Sequence, residues 1–363
     1  MKKLLLAIMI LALGVNMYAG DFVIKRGVNV SHWLSQTDIR GKERAKYVTE
    51  EDFIQIKELD FDHVRLPIDE VQFWTEEGKQ EKQAFKLLGK AIKWSLKHDL
   101  KVIVDLHTLR SHHFNIPDSR TLWEEEGAQK DFINFWRQLS AKLNKYPNDM
   151  VAYEMMNEAV SDNPEDWNKL INWAISEVRK LEPERTIVMG SVNWQGAGTF
   201  PFLKVPEGDK NIILSFHTYT PLPFTHWKAH WTGWAKYEGP VYYPGNVVDT
   251  TDLTEYNQEA VNAMRDFFGT YNKDSFIAEF KPAIKKAKEL GLPLYCGEFG
   301  CYPTTSMEMR QQWYKDIMEV FNENGIAWAH WNWKNDFPLV DEKTREPITN
   351  ILDILLPINK KVD

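Results

Sequence analysis

Two rhythms of apolar residues alternate along the chain. Short continuous runs give way to longer stretches in which apolar side chains recur at every third or fourth place. The runs predict eight strands: 22–30, 61–67, 101–106, one opening at Val151, 186–190, 212–216, 292–296 and 326–329. Helices are expected between them. Thr49, followed by Glu50, Glu51 and Asp52, caps one whose apolar face is Phe53, Ile56 and Leu59, and Phe85, Leu88, Ile92 and Leu96 mark the next. Phe132, Phe135, Trp136, Leu139 and Leu143 line a third, and Asn163-Pro164 opens a fourth with Trp167, Leu170, Ile171, Ala174 and Val178 on one side. Thr305-Ser306-Met307-Glu308 predicts a capping box ahead of the penultimate helix.

Strands that read as buried on both faces and alternate with helices require a parallel sheet. At 363 residues, closure into an α/β (β/α)8 barrel, the TIM-barrel architecture, is favoured over an open sheet. No Pro/Gly/Ser-rich linker, charge block or internal repeat divides the chain, so residues 20–363 are expected to form one domain. The rhythm fails once, in the long loop after strand six (218–273). Phe224, His226, Trp227, His230, Trp231, Trp234, Tyr237, Tyr242 and Tyr243 make it too aromatic for a solvated tail, so it is expected to pack over the barrel mouth and wall it.

Composition narrows the partners. With 44 basic against 52 acidic residues the net charge is −8, which argues against nucleic acid. Fifteen tryptophans exceed what core packing usually needs, and an indole offers a sugar ring a flat apolar face with a polar edge, although most could simply pack between helices and sheet. Residues 1–19 have the layout of a secretory signal: Lys2-Lys3, the apolar run from Leu4 to Leu13, and small Ala19 before the expected cleavage. That run is too short to span a bilayer, so the mature chain is expected to be secreted or periplasmic, without a membrane anchor. Cys296 and Cys301 are expected to be free thiols, because five residues of extended chain carry their Cα atoms past the ~7 Å that a disulfide allows.

Candidate chemistry stands at the predicted strand ends. Val151-Ala152-Tyr153-Glu154-Met155-Met156-Asn157-Glu158 is an apolar strand that closes on a carboxylate, and Leu292 to Cys296 leads into Gly297-Glu298-Phe299-Gly300, which closes on another. In a barrel the carboxyl ends of the strands form the catalytic face, where two carboxylates can share acid/base and nucleophilic work. Arg65, His107, His217, Tyr219 and Trp331 fall at the ends of other strands. Each has an ordinary alternative: a surface ion pair for Arg65, a satisfied core histidine for His107 or His217, plain packing for Trp331. The same bias on six strands is hard to obtain by chance. His107 with His112-His113 does not make a metal set, since neighbours on a strand point apart and no His-x-His pair is present.

This ordered set resembles glycoside hydrolase family 5, the cellulase-like members of a large retaining (β/α)8 clan, over essentially the whole mature chain. The resemblance implies Glu158 as acid/base and Glu298 as nucleophile, with Asn157 on the sugar 2-hydroxyl and Arg65 and Tyr219 hydrogen-bonded to Glu298. It places His107 and His217 beside the same sugar and Trp331 beneath it, and it requires no metal or cofactor. Ala159 departs from the Pro that many members carry after Asn-Glu, which bears on loop geometry rather than chemistry.

The expected function is thus hydrolysis of a polysaccharide or oligosaccharide by a monomer, β-1,4-glucan being the leading substrate. Mannan, xyloglucan or mixed-linkage glucan, or exo action as a β-glucosidase, remain open on the same scaffold, because specificity lies in loops. A non-catalytic glycan-binding protein would keep the tryptophans but need not keep both Glu158 and Glu298.

Overall fold

The computed structural model describes residues 20–116 and 120–357; the leader expected at 1–19 lies outside them. Eight parallel strands close into a barrel: β1 (Arg26–Asn29), β2 (His63–Asp69), β3 (Lys101–Thr108), β4 (Val151–Glu154), β5 (Ile187–Gly190), β6 (Ile212–His217), β7 (Leu294–Phe299) and β8 (Ala327–His330). β8 pairs back onto β1 through Arg26–Trp328, Gly27–Ala329 and Val28–His330. All eight expected strands are present, with shifted ends. β1 begins four residues later than its apolar run, and β7 runs on through Glu298 to Phe299.

The longer helices are α1 (Glu50–Glu58), α2 (Lys82–Lys97), α3 (Glu126–Leu143), α4 (Pro164–Leu181), α5 (Lys273–Leu290) and α6 (Met307–Asn324). Their starts follow local chemistry. The Thr49 N–H donates to Asp52 Oδ2 at 2.8 Å ahead of α1, and Asn163 Oδ1 accepts the Glu165 N–H at 3.1 Å ahead of α4. The cap of α6 lies one residue later than the capping box predicted. Ser306 Oγ accepts the Met309 N–H at 3.3 Å, while Thr305 is buried with its hydroxyl 3.7 Å from the Cys301 thiol. Between β5 and β6 the crossover is a 3-10 segment (Ala197–Phe202) rather than a long helix.

Two apolar regions result. The larger fills the space between sheet and helices, and includes Leu88, Ile92, Leu139, Leu170, Ile171, Phe280 and Phe321. The smaller plugs the lower half of the barrel: Ile103, Ala152, Val188, Ile213, Tyr295 and Ala329 point inward from six strands, and Phe22 and Ile24, just before β1, close the bottom. Both cysteines are free and buried, as expected. No helix among the described residues is long and apolar enough to cross a membrane.

The 218–273 loop is more regular than its sequence suggested. It holds short helices at Leu222–Thr225 and Gln258–Ala263, and Gly245–Asn246 pairs with Thr270–Tyr271. Its tryptophans divide by role. Trp234 is buried against Phe267, and Trp227 is half-buried, its indole N–H donating to Gly239 O at 3.0 Å with Lys228 over its face. Trp231 is the open one, 39% exposed, edge-on to Tyr302 at 5.3 Å and to His226 at 6.0 Å. His226 in turn stands edge-on to Tyr219 at 4.9 Å, so this end of the loop reaches the strand-end constellation.

Candidate active site

Alternation along a strand sends every second side chain inward, so each inward row climbs from the apolar plug toward the mouth. On β3 the row is Ile103, Asp105, His107; on β4 it is Ala152, Glu154; on β6 it is Ile213, Ser215, His217. Above the plug, therefore, stands a buried polar layer, and its centre is Arg65 from β2, with no exposed surface. Its guanidinium donates from Nε to Glu154 Oε2 at 2.6 Å, from Nη1 to Glu298 Oε1 at 2.6 Å and to Asn29 Oδ1 at 3.0 Å, and from Nη2 to Asn157 Oδ1 at 2.8 Å, with Asp105 Oδ2 at 3.1 Å. One planar cation thus aligns two strand-end residues at the mouth, Asn157 and Glu298, against fixed partners below.

The remaining candidates join the same network. Tyr219 OH donates to Glu298 Oε2 at 2.9 Å. His217 Nδ1 lies 2.9 Å from Glu158 Oε1 and 3.8 Å from Glu298 Oε2. His107 Nδ1 meets Asp105 Oδ2 at 2.7 Å, and its ring stacks on Trp331 with centroids 5.5 Å apart and planes 8° from parallel. All eight residues singled out from sequence are therefore brought together. Among the described residues, His107 Nε2 and Asn157 Nδ2 are buried without a hydrogen-bond partner, leaving donor or acceptor capacity for a ligand.

Several members of the site carried little sequence signal. Asn29, Glu154 and Gln195 meet their partners only across the barrel, although a charged residue inside the apolar run at Glu154 hints at an internal pair. Asp105 could have been read from its place two residues before His107, on the same face of one strand. Glu158 itself lies beyond the end of β4, at φ 45°, a left-handed conformation that costs a non-glycine residue on the order of 1–3 kcal/mol and clusters at functional sites.

The two glutamates are not equivalent. Burial is the largest influence on both and pushes both carboxyls up. At Glu158 the neighbouring Glu298 charge adds to burial and carries it well above the ordinary range; at Glu298 the Arg65 cation is the main opposing influence, with the Tyr219 hydrogen bond helping. Glu298 is thus the first of the pair to ionise and Glu158 the one that keeps its proton. Arg65 and Tyr219, both hydrogen-bonded to Glu298 as the family resemblance implied, thus favour its ionised form against a burial penalty. Burial also lowers His107 to about 4 and His217 well below its usual value, so both imidazoles are neutral at neutral pH.

The histidines weighed as metal ligands have other partners, His112 Nε2 accepting the Val160 N–H at 3.0 Å and His107 facing Asp105. Glu158, His217 and Glu298 do bring ligand-type atoms within 4.8 Å of one another. A cation there would compete with Arg65, which already sits 2.6 Å from Glu298.

The family model described as Cellulase (glycosyl hydrolase family 5) matches residues 25–337, which takes in the barrel and every residue of this network. The chain belongs to glycosyl hydrolase family 5. It is a glycoside hydrolase. Family 5 relatives include Endoglucanase C of Acetivibrio thermocellus, 30% identical over 336 residues that cover 91% of this chain and 97% of the relative. Cellodextrinase A of Ruminococcus flavefaciens is 30% identical over 308 residues, 84% of each chain. Among solved structures, a hyperthermophilic endo-beta-1,4-glucanase in complex with substrate superposes with a TM-score of 0.73 at 27% identity, over 92% of this chain and 97% of that one.

Proposed function

We propose that this family 5 chain is an exported endo-β-1,4-glucanase that works by double displacement, with Glu298 as nucleophile and Glu158 as acid/base. The observation that carries the mechanism is the pair of buried carboxyls, whose oxygens approach within 4.8 Å with unequal proton affinity. Retaining glycosidases hold their two carboxyl groups ~5–5.5 Å apart, whereas inverting enzymes leave a wider gap for water.

In the first step a Glu298 carboxylate oxygen bonds to the anomeric carbon while the bond to the leaving sugar breaks, and Glu158 gives its proton to the departing oxygen. Arg65 and Tyr219 hold one oxygen each of Glu298, which aims the carboxylate and keeps it ionised until it reacts. Esterification removes the Glu298 charge, so the proton affinity of Glu158 falls. Glu158 then takes a proton from water as the water oxygen attacks the anomeric carbon and Glu298 departs. Asn157 Nδ2 faces the sugar 2-hydroxyl, His107 and His217 border the same ring, and Trp331 lies beneath it. Trp231 extends the wall for sugars further along the polymer.

The substrate class rests on the names of the relatives, which include endoglucanases and an endo-beta-1,4-glucanase. Export rests on the leader-like residues 1–19. The test is digestion of soluble β-1,4-glucan beside mannan, xyloglucan and mixed-linkage glucan, with viscosity, reducing ends and early anomer ratio followed together. The expected result is rapid viscosity loss on β-1,4-glucan and first-formed β-anomer. α-Anomer would overturn double displacement, release of short products without viscosity loss would make the chain a cellodextrinase-like exo enzyme, and binding without cleavage would remove the catalytic reading.

A further inference from the structure

We propose that Gln195 is a positioning residue for Glu158, holding the acid/base glutamate from behind; the inference rests on the reading of Glu158 given above. The need arises from the backbone. The Asn157 N–H still donates to Leu106 O of β3 at 3.0 Å, but one residue on, the left-handed turn at Glu158 carries the next N–H out of the barrel ladder. That N–H is buried and must find an acceptor. Gln195 Oε1 supplies it at 2.8 Å.

The rest of the Gln195 environment fixes the amide in this orientation. Its Nε2 donates to Glu154 Oε1 and to Ser215 Oγ, each at 3.3 Å, so its oxygen is left to face Glu158. Gln195 is fully buried, and room for it exists because residue 190 is glycine: a Cβ there would lie 2.4 Å from Gln195 Cγ. The next residue supports the histidine that meets the carboxyl end of the same glutamate. Gly196 forms a parallel bridge with His217, whose Nδ1 meets the Glu158 carboxyl at 2.9 Å.

The chain accepts strain to deliver this side chain. Asn193, Trp194 and Gln195 are three successive non-glycine residues in the left-handed region, at φ 58°, 57° and 52°. The turn is closed by the Gly196 N–H on Asn193 O at 3.1 Å and pinned outside by the Trp194 indole N–H on Phe114 O at 3.1 Å. A connection with no duty beyond reaching β6 would relieve such strain with glycine or a longer path. Glu298 has separate supports in Arg65 and Tyr219, so loss of Gln195 should impair acid/base work more than nucleophilic attack.

The experiment compares Gln195→Ala, Gln195→Glu and Glu158→Ala on a β-1,4-glucan and on 2,4-dinitrophenyl β-cellobioside, with and without azide. The aryl leaving group departs without an acid, and azide attacks the glycosyl-enzyme without a base, forming β-cellobiosyl azide. For Gln195→Ala the expected result is a loss of about ten- to hundredfold on glucan, part of the ~10²–10⁴ that general acid/base catalysis contributes, with the aryl substrate restored by azide to within about threefold of wild type. A protonated glutamate keeps the acceptor that faces the Glu158 N–H and one of the amide's two donors, so Gln195→Glu should regain part of the glucan activity at acid pH and lose it as pH rises. Equal loss on both substrates without azide rescue, wild-type activity in Gln195→Ala, or a Gln195→Glu profile that does not fade with pH would each overturn the inference. The glutamate variant decides the matter if the alanine variant does not fold. Glu158→Ala is the reference: if azide does not accelerate it, the reading of Glu158 itself falls, and this inference with it.

Discussion

The lower and upper halves of the barrel interior are built from the same strands, a single alternation apart, yet they are held together by different physics. Below, Ile103, Ala152, Val188 and Ile213 meet Phe22 and Ile24 in an apolar plug whose stability is transfer and packing. Two positions up the same strands, Asp105 and Glu154 surround Arg65 with buried charge, and Ser215 accepts from Gln195. A buried ion pair is weak evidence for stability, since desolvation offsets most of the attraction. Its evident product is orientation: Arg65 fixes Asn157 and Glu298 at once. The plug makes the barrel stand, and the layer above sets which way its mouth residues point.

The comparison predicts that the two halves fail differently. The largest effect is expected for Arg65→Met, which leaves Asp105, Glu154 and Glu298 buried without their cation. Breaking one partner of such a cluster costs about 3–5 kcal/mol. The loss should also depend on pH. Burial already pushes Asp105 up to about 7 against the lowering effect of Arg65, and without that cation it goes higher. A carboxyl whose folded pKa is raised contributes stability that is present below its unfolded value of ~3.9 and lost as pH rises through the folded one. Wild type and variant lose the same amount on this account up to about pH 7, so denaturant melts should show the variant losing further ground to wild type as pH rises above about 7; a pH-independent deficit would mean the layer behaves like the plug.

Ile213→Ala should cost about 2–5 kcal/mol by leaving a cavity in the plug, with no new pH dependence and with wild-type kcat below the melting temperature. A large fall in kcat at full folding would show that the plug, too, orients the mouth. The smallest structural change is expected for Glu298→Gln, which keeps shape and removes one charge, although turnover is lost with the nucleophile. By carbon-13 NMR the pKa of Glu158 should fall yet stay above that of an ordinary glutamate, because burial, the larger cause, remains. An unchanged value would assign the proton on Glu158 to burial alone.

The two halves were also unequally legible in the sequence. The plug and the outer core declared themselves as apolar runs and three-four spacing, so all eight strands and five of the six longer helices could be placed; α5, between the long loop and β7, was not read. Arg65, His107, Asn157, Glu158, His217, Tyr219, Glu298 and Trp331 stood out because a polar or aromatic residue closes an apolar run or follows it closely. What lay hidden were the partners. Asn29, Glu154 and Gln195 act through side chains more than thirty residues away, and nothing in local spacing records such a pair. Boundaries failed where tertiary pairing extends a strand, as at Glu298, which lies inside β7 opposite His217 across a bulge. Trp227, Trp231 and Trp234 could not be told apart in the sequence: an indole that packs and one that stands open look alike until exposure is known.

The central claim is that Glu298, steadied by Arg65 and Tyr219, forms the covalent bond to sugar. It is tested most directly by incubating the enzyme with 2,4-dinitrophenyl 2-deoxy-2-fluoro-β-cellobioside, in which the fluorine slows the second step more than the first, and mapping the adduct by peptide mass spectrometry. The account predicts one fluorocellobiosyl group per chain, released by azide, on the peptide containing Gly297-Glu298-Phe299 and on Glu298 within it. An adduct on Glu158, on Glu154 or on any other side chain, or hydrolysis with no adduct and inverted product, would contradict it.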